Sequence, residues 1–374
     1  GKDYSLGGIT LLCKFDGQRV TMASQIAGAD ETVSSLYSVK SEQATMLSFD
    51  TYNYLVHYFG QPQGSMADDP NGTLGGDYEF VISDATADRI ELKGKKYGNR
   101  IVMKAFSADQ TWKQYLTRIK KVEDDAFFYE YDLRMDGLYT GQMLRSNYTF
   151  IVTYYDEVGK VHQKTVPFMF TTDGMRFHEP VTIDGQTMQN FVWKNEEISF
   201  VCTDEGATGV KMKGIYIDGY QSYDYYPGTY LMDFYRLNGA TNQLEVASQE
   251  IQLVKNEDGK SYWLKGLEYD ILVTYDKPRG GLSILPQFLK KVQGGYVYLA
   301  MWDLMNDYVL RSSAIGLISY PTTDGIYLVD NGVWMGEISG FIFGVYDSQD
   351  EEASFMGYTD AVAAIRLIKK TIEE

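Results

Sequence analysis

Side-chain character in this chain alternates with a period of two, and the alternating runs are cut by one recurring kind of dipeptide. In GDYEFVIS, residues 76–83, Tyr78, Phe80 and Ile82 alternate with Asp77, Glu79 and Ser83. In RIELKG, residues 89–94, Ile90 and Leu92 alternate with Arg89, Glu91 and Lys93. This is the pattern of strands with one buried face. Asp-Gly steps begin at 16, 136, 173, 184, 218, 258 and 324, and Asn-Gly steps at 71, 238 and 331. Such dipeptides accept the positive φ angles of tight hairpin turns, so many should reverse one strand into the next. The expected fold is mainly β: antiparallel sheets, as open barrel or sandwich, in at least two domains, with a few short amphipathic helices.

Two segments depart from period two. SADQTWKQYLTRIKKV, residues 107–122, offers a capping box at Ser107 and Gln110 and lines up Trp112, Tyr115, Leu116, Ile119 and Val122 at helical spacing. It is expected as a connecting helix after an N-terminal β domain over 1–106. The C-terminal TDAVAAIRLIKKTIEE aligns Val362, Ile365, Ile368 and Ile372, which predicts a helix over 360–373. DTYNYLVHYF predicts one or two helical turns after Asp50. The region 123–374 is expected as a larger β portion, with a division near the Gly-rich polar segment 203–214.

The net charge is −17, spread along the chain. Such a surface repels phosphate backbones and anionic headgroups, which argues against nucleic acid and against membrane contact other than through a lipid anchor upstream. No apolar run approaches the roughly 20 residues of a membrane-spanning helix. Cys13 and Cys202 fall on the apolar side of strand-like runs and are expected as buried free thiols, with a disulfide as the alternative. No CxxC is present, and no zinc-thiolate site is expected.

The chemistry-bearing motifs are few. Of three histidines, His57, His162 and His178, none belongs to HExxH, and all three are expected in structural or surface roles. A two-residue turn at Asp173-Gly174 would set His178 opposite Met169 and His162 opposite Gly185, well apart. There is no GxSxG elbow, Walker loop or GxGxxG after a strand, and no cofactor is expected. Two acidic stretches, Asp68, Asp69 and Asn71, then Asp347, Asp350, Glu351 and Glu352, carry oxygen ligands without EF-hand spacing and read first as solvated loops.

The densest feature is GYQSYDYYPGTYLMDFYR, residues 219–236. After the Pro227-Gly228 turn signal, Tyr230, Met232 and Phe234 alternate as a strand core would. Tyr220, Tyr223, Tyr225 and Tyr226 fit neither period. They either pack on their own domain or form a contact surface for sugar, peptide or protein, since tyrosine joins a flat apolar face to a polar edge. Trp302 and Trp334 carry the same two readings.

GGITLLCKFDG at 7–17, SLYSVKSEQATMLSFDTYNYLVHYF at 35–59, GDYEFVI at 76–82, LKGKKYGNRIVM at 92–103 and PFMFTTDGMRFHEPVTIDG at 167–185 together resemble domain-of-unknown-function family 4302. The resemblance implies an exported lipoprotein of gut-type Gram-negative anaerobes, anchored in the outer membrane beside a nutrient transporter and its partner lipoprotein. It supplies no catalytic residues. The expected function is therefore a non-catalytic envelope component binding glycan, peptide or partner protein. The alternatives are a polysaccharide hydrolase with carboxylates roughly 5 to 9 Å apart across a cleft, and a structural assembly subunit with a broad apolar patch.

Overall fold

A computed structural model describes residues 7–41, 44–60, 74–156, 158–350 and 352–370. The chain divides into two units, Gly1–Tyr216 and Ile217–Glu374.

The first unit opens with a seven-stranded antiparallel meander, each strand beside its neighbour in sequence. The strands are β1 (Leu11–Asp16), β2 (Arg19–Ser24), β3 (Val33–Ser41), β4 (Thr45–Phe49), β5 (Glu79–Ala85), β6 (Arg89–Gly94) and β7 (Arg100–Lys104). Its inner face buries Val20, Met22, Leu47, Phe80 and Leu92, and the single-turn helix α1 (Tyr54–His57) adds Leu55 and Val56. Helix α2 (Trp112–Asp125) follows.

Eight strands then close into a barrel: β8 (Glu130–Met135), β9 (Leu138–Ser146), β10 (Thr149–Tyr155), β11 (Val161–Phe170), β12 (Gly174–Ile183), β13 (Gln186–Lys194), β14 (Ser199–Cys202) and β15 (Val210–Ile215). Closure is the β15 to β8 ladder, Val210 against Met135 through Ile215 against Glu130. Side chains fill the interior, as expected for a barrel of this size. Phe150 and Phe168 stack at 4.5 Å, and Tyr131 meets Phe150 edge-on at 5.5 Å.

Helix α2 joins barrel to meander. Its Ile119 and Val122 enter the barrel core, while Leu116 packs with Leu12 and Ala23 of the first two strands. Lys120 Nζ donates to the carbonyls of Gln25 and Ala27 at 2.7 and 2.8 Å. The Tyr148 hydroxyl, on the β9–β10 turn, donates to Glu123 at 2.8 Å and accepts from Gln25 at 3.3 Å. The connecting helix is thus a packed joint between the two sheets of the first unit. Its capping box sits one turn later than expected, at Thr111 and Gln114, because the same spacing occurs twice and the later start buries Leu116, Ile119 and Val122.

In the second unit the strands are β16 (Gly228–Asn238), β17 (Gln243–Lys255), β18 (Ser261–Lys265), β19 (Ile271–Asp276), β20 (Gly281–Ile284), β21 (Gln287–Val292), β22 (Gly295–Asp303), β23 (Tyr308–Leu310), β24 (Leu317–Thr322), β25 (Gly325–Asp330), β26 (Gly340–Tyr346) and β27 (Phe355–Lys369). Pairing of β16 with β27 closes the ring β16-β17-β18-β19-β20-β24-β25-β27. A branch of β26, β22, β21 and β23 grows from β27. One edge of β27 therefore serves β16, while its other edge serves β26 at Phe355–Ala363 and β25 at Arg366 and Leu367.

The helix expected over 360–373 is this strand. At Ala364 the backbone turns left-handed, φ 50°, and its N–H bonds to Ser339 O at 2.8 Å. The bulge adds one residue to the two-residue repeat, so Val362 and Ile365 both point inward three apart, which in sequence imitates a helix face. Ile372 lies outside the described residues.

Other expectations shift in detail. Asp136-Gly137 and Asp184-Gly185 do form two-residue hairpin turns with both φ angles positive, 47° and 83°, then 48° and 73°. Asp173-Gly174 does not. Phe170 pairs with Met175, so the turn centres on Thr172 and Asp173 and the register differs by two from the expected one. Gly174 belongs to the strand, where a Cβ would stand 1.9 Å from Phe191 O. His162 lies opposite Tyr154. The two units divide just beyond segment 203–214, after Tyr216, and the segment itself belongs to the barrel: Asp204 accepts from the N–H groups of Gln189 and Asn190, at 2.5 and 2.7 Å, and Val210 and Met212 enter the barrel core.

Both cysteines are free thiols. Burial pushes Cys13 up to about 12. His178 is tucked against the N-terminal segment, where a Cβ on Gly8 would stand 2.6 Å from its Nε2.

Two outcomes follow from these features. Ala364→Gly should raise stability in urea unfolding by about 0.5 to 1 kcal/mol, and Ala364→Val should lower it by more, since only glycine carries a left-handed φ without a Cβ penalty. Burial holds the His178 imidazole below its ordinary pKa. The unfolded chain therefore takes up this proton at higher pH than the folded one, and stability is lost as pH falls through the ordinary histidine range toward the folded value. His178→Gln should shrink the drop in melting temperature of the first unit between about pH 7 and pH 5.

Candidate functional site

The tyrosines of residues 219–236 build a wall inside the second unit. Tyr226 and Tyr230 are fully buried, with Tyr262 of β18 and Tyr275 of β19 around them. Each hydroxyl finds a carbonyl: Tyr226 donates to Gly280 O at 2.8 Å, Tyr230 to Tyr226 O at 2.6 Å, Tyr262 to Tyr223 O at 2.7 Å and Tyr223 to Ser261 O at 2.8 Å. Tyr275 donates to Gln221 O at 2.8 Å and lies 3.1 Å from the Tyr220 hydroxyl. Tyr223 stacks on Tyr262 at 4.7 Å. Burial raises the pKa of Tyr226, Tyr230, Tyr262 and Tyr275, so these rings stay neutral donors. Of the four loop tyrosines only Tyr225 is exposed, at 39%, and Lys369 Nζ lies over its ring at 4.9 Å. The loop is an aromatic plug tied to the ends of β17 to β20, and three of its four rings are used by the fold.

Trp302 is also core, packed with Ala300, Ile342, Ala361 and Ala363. Its neighbour Asp303 is inaccessible to solvent and ties two loops together. The carboxylate accepts from the Asn306 side chain at 2.9 Å, the Trp334 indole at 2.9 Å and the Asn306 backbone at 3.1 Å, bonds that hold its pKa below the ordinary value. Trp334 is thereby half-buried.

One outward-facing aromatic surface lies elsewhere, at Trp263. On β18, Tyr262 and Leu264 point into the core, so Trp263 and Lys265 must point out. The chain then turns through Gly266, brings Tyr269 edge-on to Phe343 at 5.2 Å, and places Asp270 3.7 Å from Lys265. Strand β21 supplies the opposite wall with Leu289 and Lys290. It is held there by Gln287, whose carboxamide accepts from Leu272 N at 2.8 Å and donates to Leu272 O at 2.9 Å, standing in for a missing strand. The result is a groove of about 310 Å³ lined by Trp263, Lys265, Tyr269, Asp270, Leu289 and Lys290. The indole and phenol rings supply apolar area, and the three charged groups supply donors and an acceptor at the rim.

The acidic stretch around Asp347 and Asp350 lines a broader depression of about 550 Å³ with Ser348, Glu352 and Ala353. No group of three or more potential metal ligands occurs among the described residues. Asp68, Asp69, Asn71 and Glu351 lie outside them. His57 Nδ1 donates to Asn53 O at 2.9 Å and its ring stacks on Tyr78 at 5.0 Å, while His162 bonds Asp156 at 2.9 Å.

The buried and the exposed rings of the plug respond differently to truncation. Tyr226→Ala should cost about 3 to 5 kcal/mol in unfolding free energy, as for any large buried aromatic, whereas Tyr225→Ala should cost under about 1 kcal/mol. Urea titrations of the two variants check this.

Two family patterns match the chain. One, described as a domain of unknown function (DUF4987), covers residues 203–342. The other, the domain of unknown function DUF4302, covers residues 1–195, more than half of the 374, and stops within the barrel before β14 and β15 complete it. No curated protein and no solved structure matches the chain. With its meander, α2 and six of the eight barrel strands inside the longer match, the chain belongs to the DUF4302 family.

Proposed function

We propose that this chain is a non-catalytic binding component of the cell envelope that takes a glycan in the Trp263 groove. The exposed indole of Trp263 beside Tyr269, rimmed by Lys265, Asp270 and Lys290, carries the reading. A sugar ring presents C–H bonds to an aromatic face and hydroxyls to charged groups at its edge, and this lining offers both. The one carboxylate of the lining, Asp270, is already paired with Lys265, an arrangement that favours holding a polar ligand over the facing carboxylates a hydrolase uses. Export, a lipid anchor upstream and service to an outer-membrane transporter with its partner lipoprotein belong to the same proposal and rest on the family resemblance.

A glycan array probed with the wild-type chain and with Trp263→Ala tests it. We expect the wild type to retain a discrete set of oligosaccharides and the variant to lose about tenfold or more in affinity for them, equivalent to about 1.4 kcal/mol, with its melting temperature unchanged. Retention that is indifferent to Trp263 removes the groove from the function.

A further inference from the structure

On a chain of net charge −17, the β6–β7 hairpin stands apart: residues 89–104 carry six basic side chains and one acidic. The register puts Arg89 opposite Lys104, Glu91 opposite Val102 and Lys93 opposite Arg100. These side chains share the face opposite Ile90, Leu92, Ile101 and Met103, which pack on the meander core. Two of the three cross-strand pairs thus set like charges directly against each other, which destabilises a sheet unless something else is gained. Glu91 offsets part of this through ion pairs with Arg89 and, at 3.3 Å, Arg100. Lys93 and Lys104 are exposed and make no ion pair among the described residues. The β6–β7 turn continues the basic row with Lys95 and Lys96.

The shape of this charge selects its partner. The strip runs along two strands for about 20 Å, and β7 is an edge strand. On its inner side it is bounded by carboxylates of β5: Asp84, opposite Glu91, and Glu79, which pairs with Lys95 at 3.0 Å. A planar anionic membrane pressed on this face would meet those carboxylates too. A linear polyanion lying along β7 would not. Only Tyr97 adds an aromatic ring to the turn, too little to stack successive nucleic-acid bases.

We propose that the β6–β7 hairpin is a binding strip for a linear acidic polysaccharide, separate from the Trp263 groove and independent of it. The test compares binding of the full chain to polygalacturonate, dextran, phosphatidylglycerol vesicles and single-stranded DNA. Polygalacturonate should bind, dextran should not, and affinity should fall steeply between about 50 and 200 mM salt. Lys93→Glu with Lys104→Glu should weaken polygalacturonate binding about tenfold or more at unchanged melting temperature, since it relieves both like-charge pairs. Lys93→Gln should give a smaller loss in the same direction, and Trp263→Ala no loss. Charge reversal keeps the strand edge charged. If these lysines serve only to stop the edge pairing with another chain, reversal leaves binding unchanged, and that result overturns the proposal. Stronger binding to vesicles or to DNA, or no binding of polygalacturonate at low salt, overturns it equally.

Discussion

Closed hydrogen-bond ladders are the constraint on which the rest of this protein depends. A strand with an unpaired edge leaves a row of amides and carbonyls seeking partners, and the two large sheets remove most of those edges by joining last strand to first. In the first unit β15 returns to β8, and in the second β27 returns to β16. Closure turns each sheet into a cylinder with an apolar lumen, and it sets which side chains are left outside. Trp263 faces out because Tyr262 and Leu264 must face in. The meander is the exception. It keeps β7 as an edge, and that edge carries the basic hairpin.

Much of the architecture was legible because period two survives even where turns and bulges interrupt it. The mainly β, antiparallel fold follows from runs such as Ile90 and Leu92 in β6, and Asp-Gly at 136 and 184 marks true two-residue turns, whereas Tyr78 of the run with Phe80 and Ile82 lies exposed just before β5. Misreadings arose where one backbone irregularity changed the phase. Ala364 inserts a residue into β27 and produced a helical spacing in a strand. Gly174, needed for close approach to Phe191, looked like a turn residue. The polar segment after Thr203 resembled a linker because its role, holding Asp204 against two backbone amides of β13, depends on a partner some fifteen residues away.

The candidate site was less legible, for a related reason. Clustered tyrosines attract attention in a sequence, but Tyr223 and Tyr226 are satisfied by carbonyls of β18 and of the β19–β20 turn, which no local pattern reveals. Trp263 lies in SYWLKG, whose alternation alone assigns it outward, so one signal was present. Its companions Leu289 and Lys290 arrive from β21, which the ladder to β22 and the Gln287 to Leu272 amide clasp bring alongside. Grooves assembled across the branch of a sheet leave little trace in any single stretch of chain.

The distance between the end of the family match at residue 195 and the last barrel strand at Ile215 bears on how such genes are cut and joined. An exchange of coding segments at the earlier point would deliver a cylinder lacking two staves, with Phe191 and Trp193 beside an open seam in place of Cys202 and Phe200. The folding unit therefore reaches Tyr216, past the residue 203 at which the second family match begins, and a junction that keeps the cylinder whole must fall after the eighth stave.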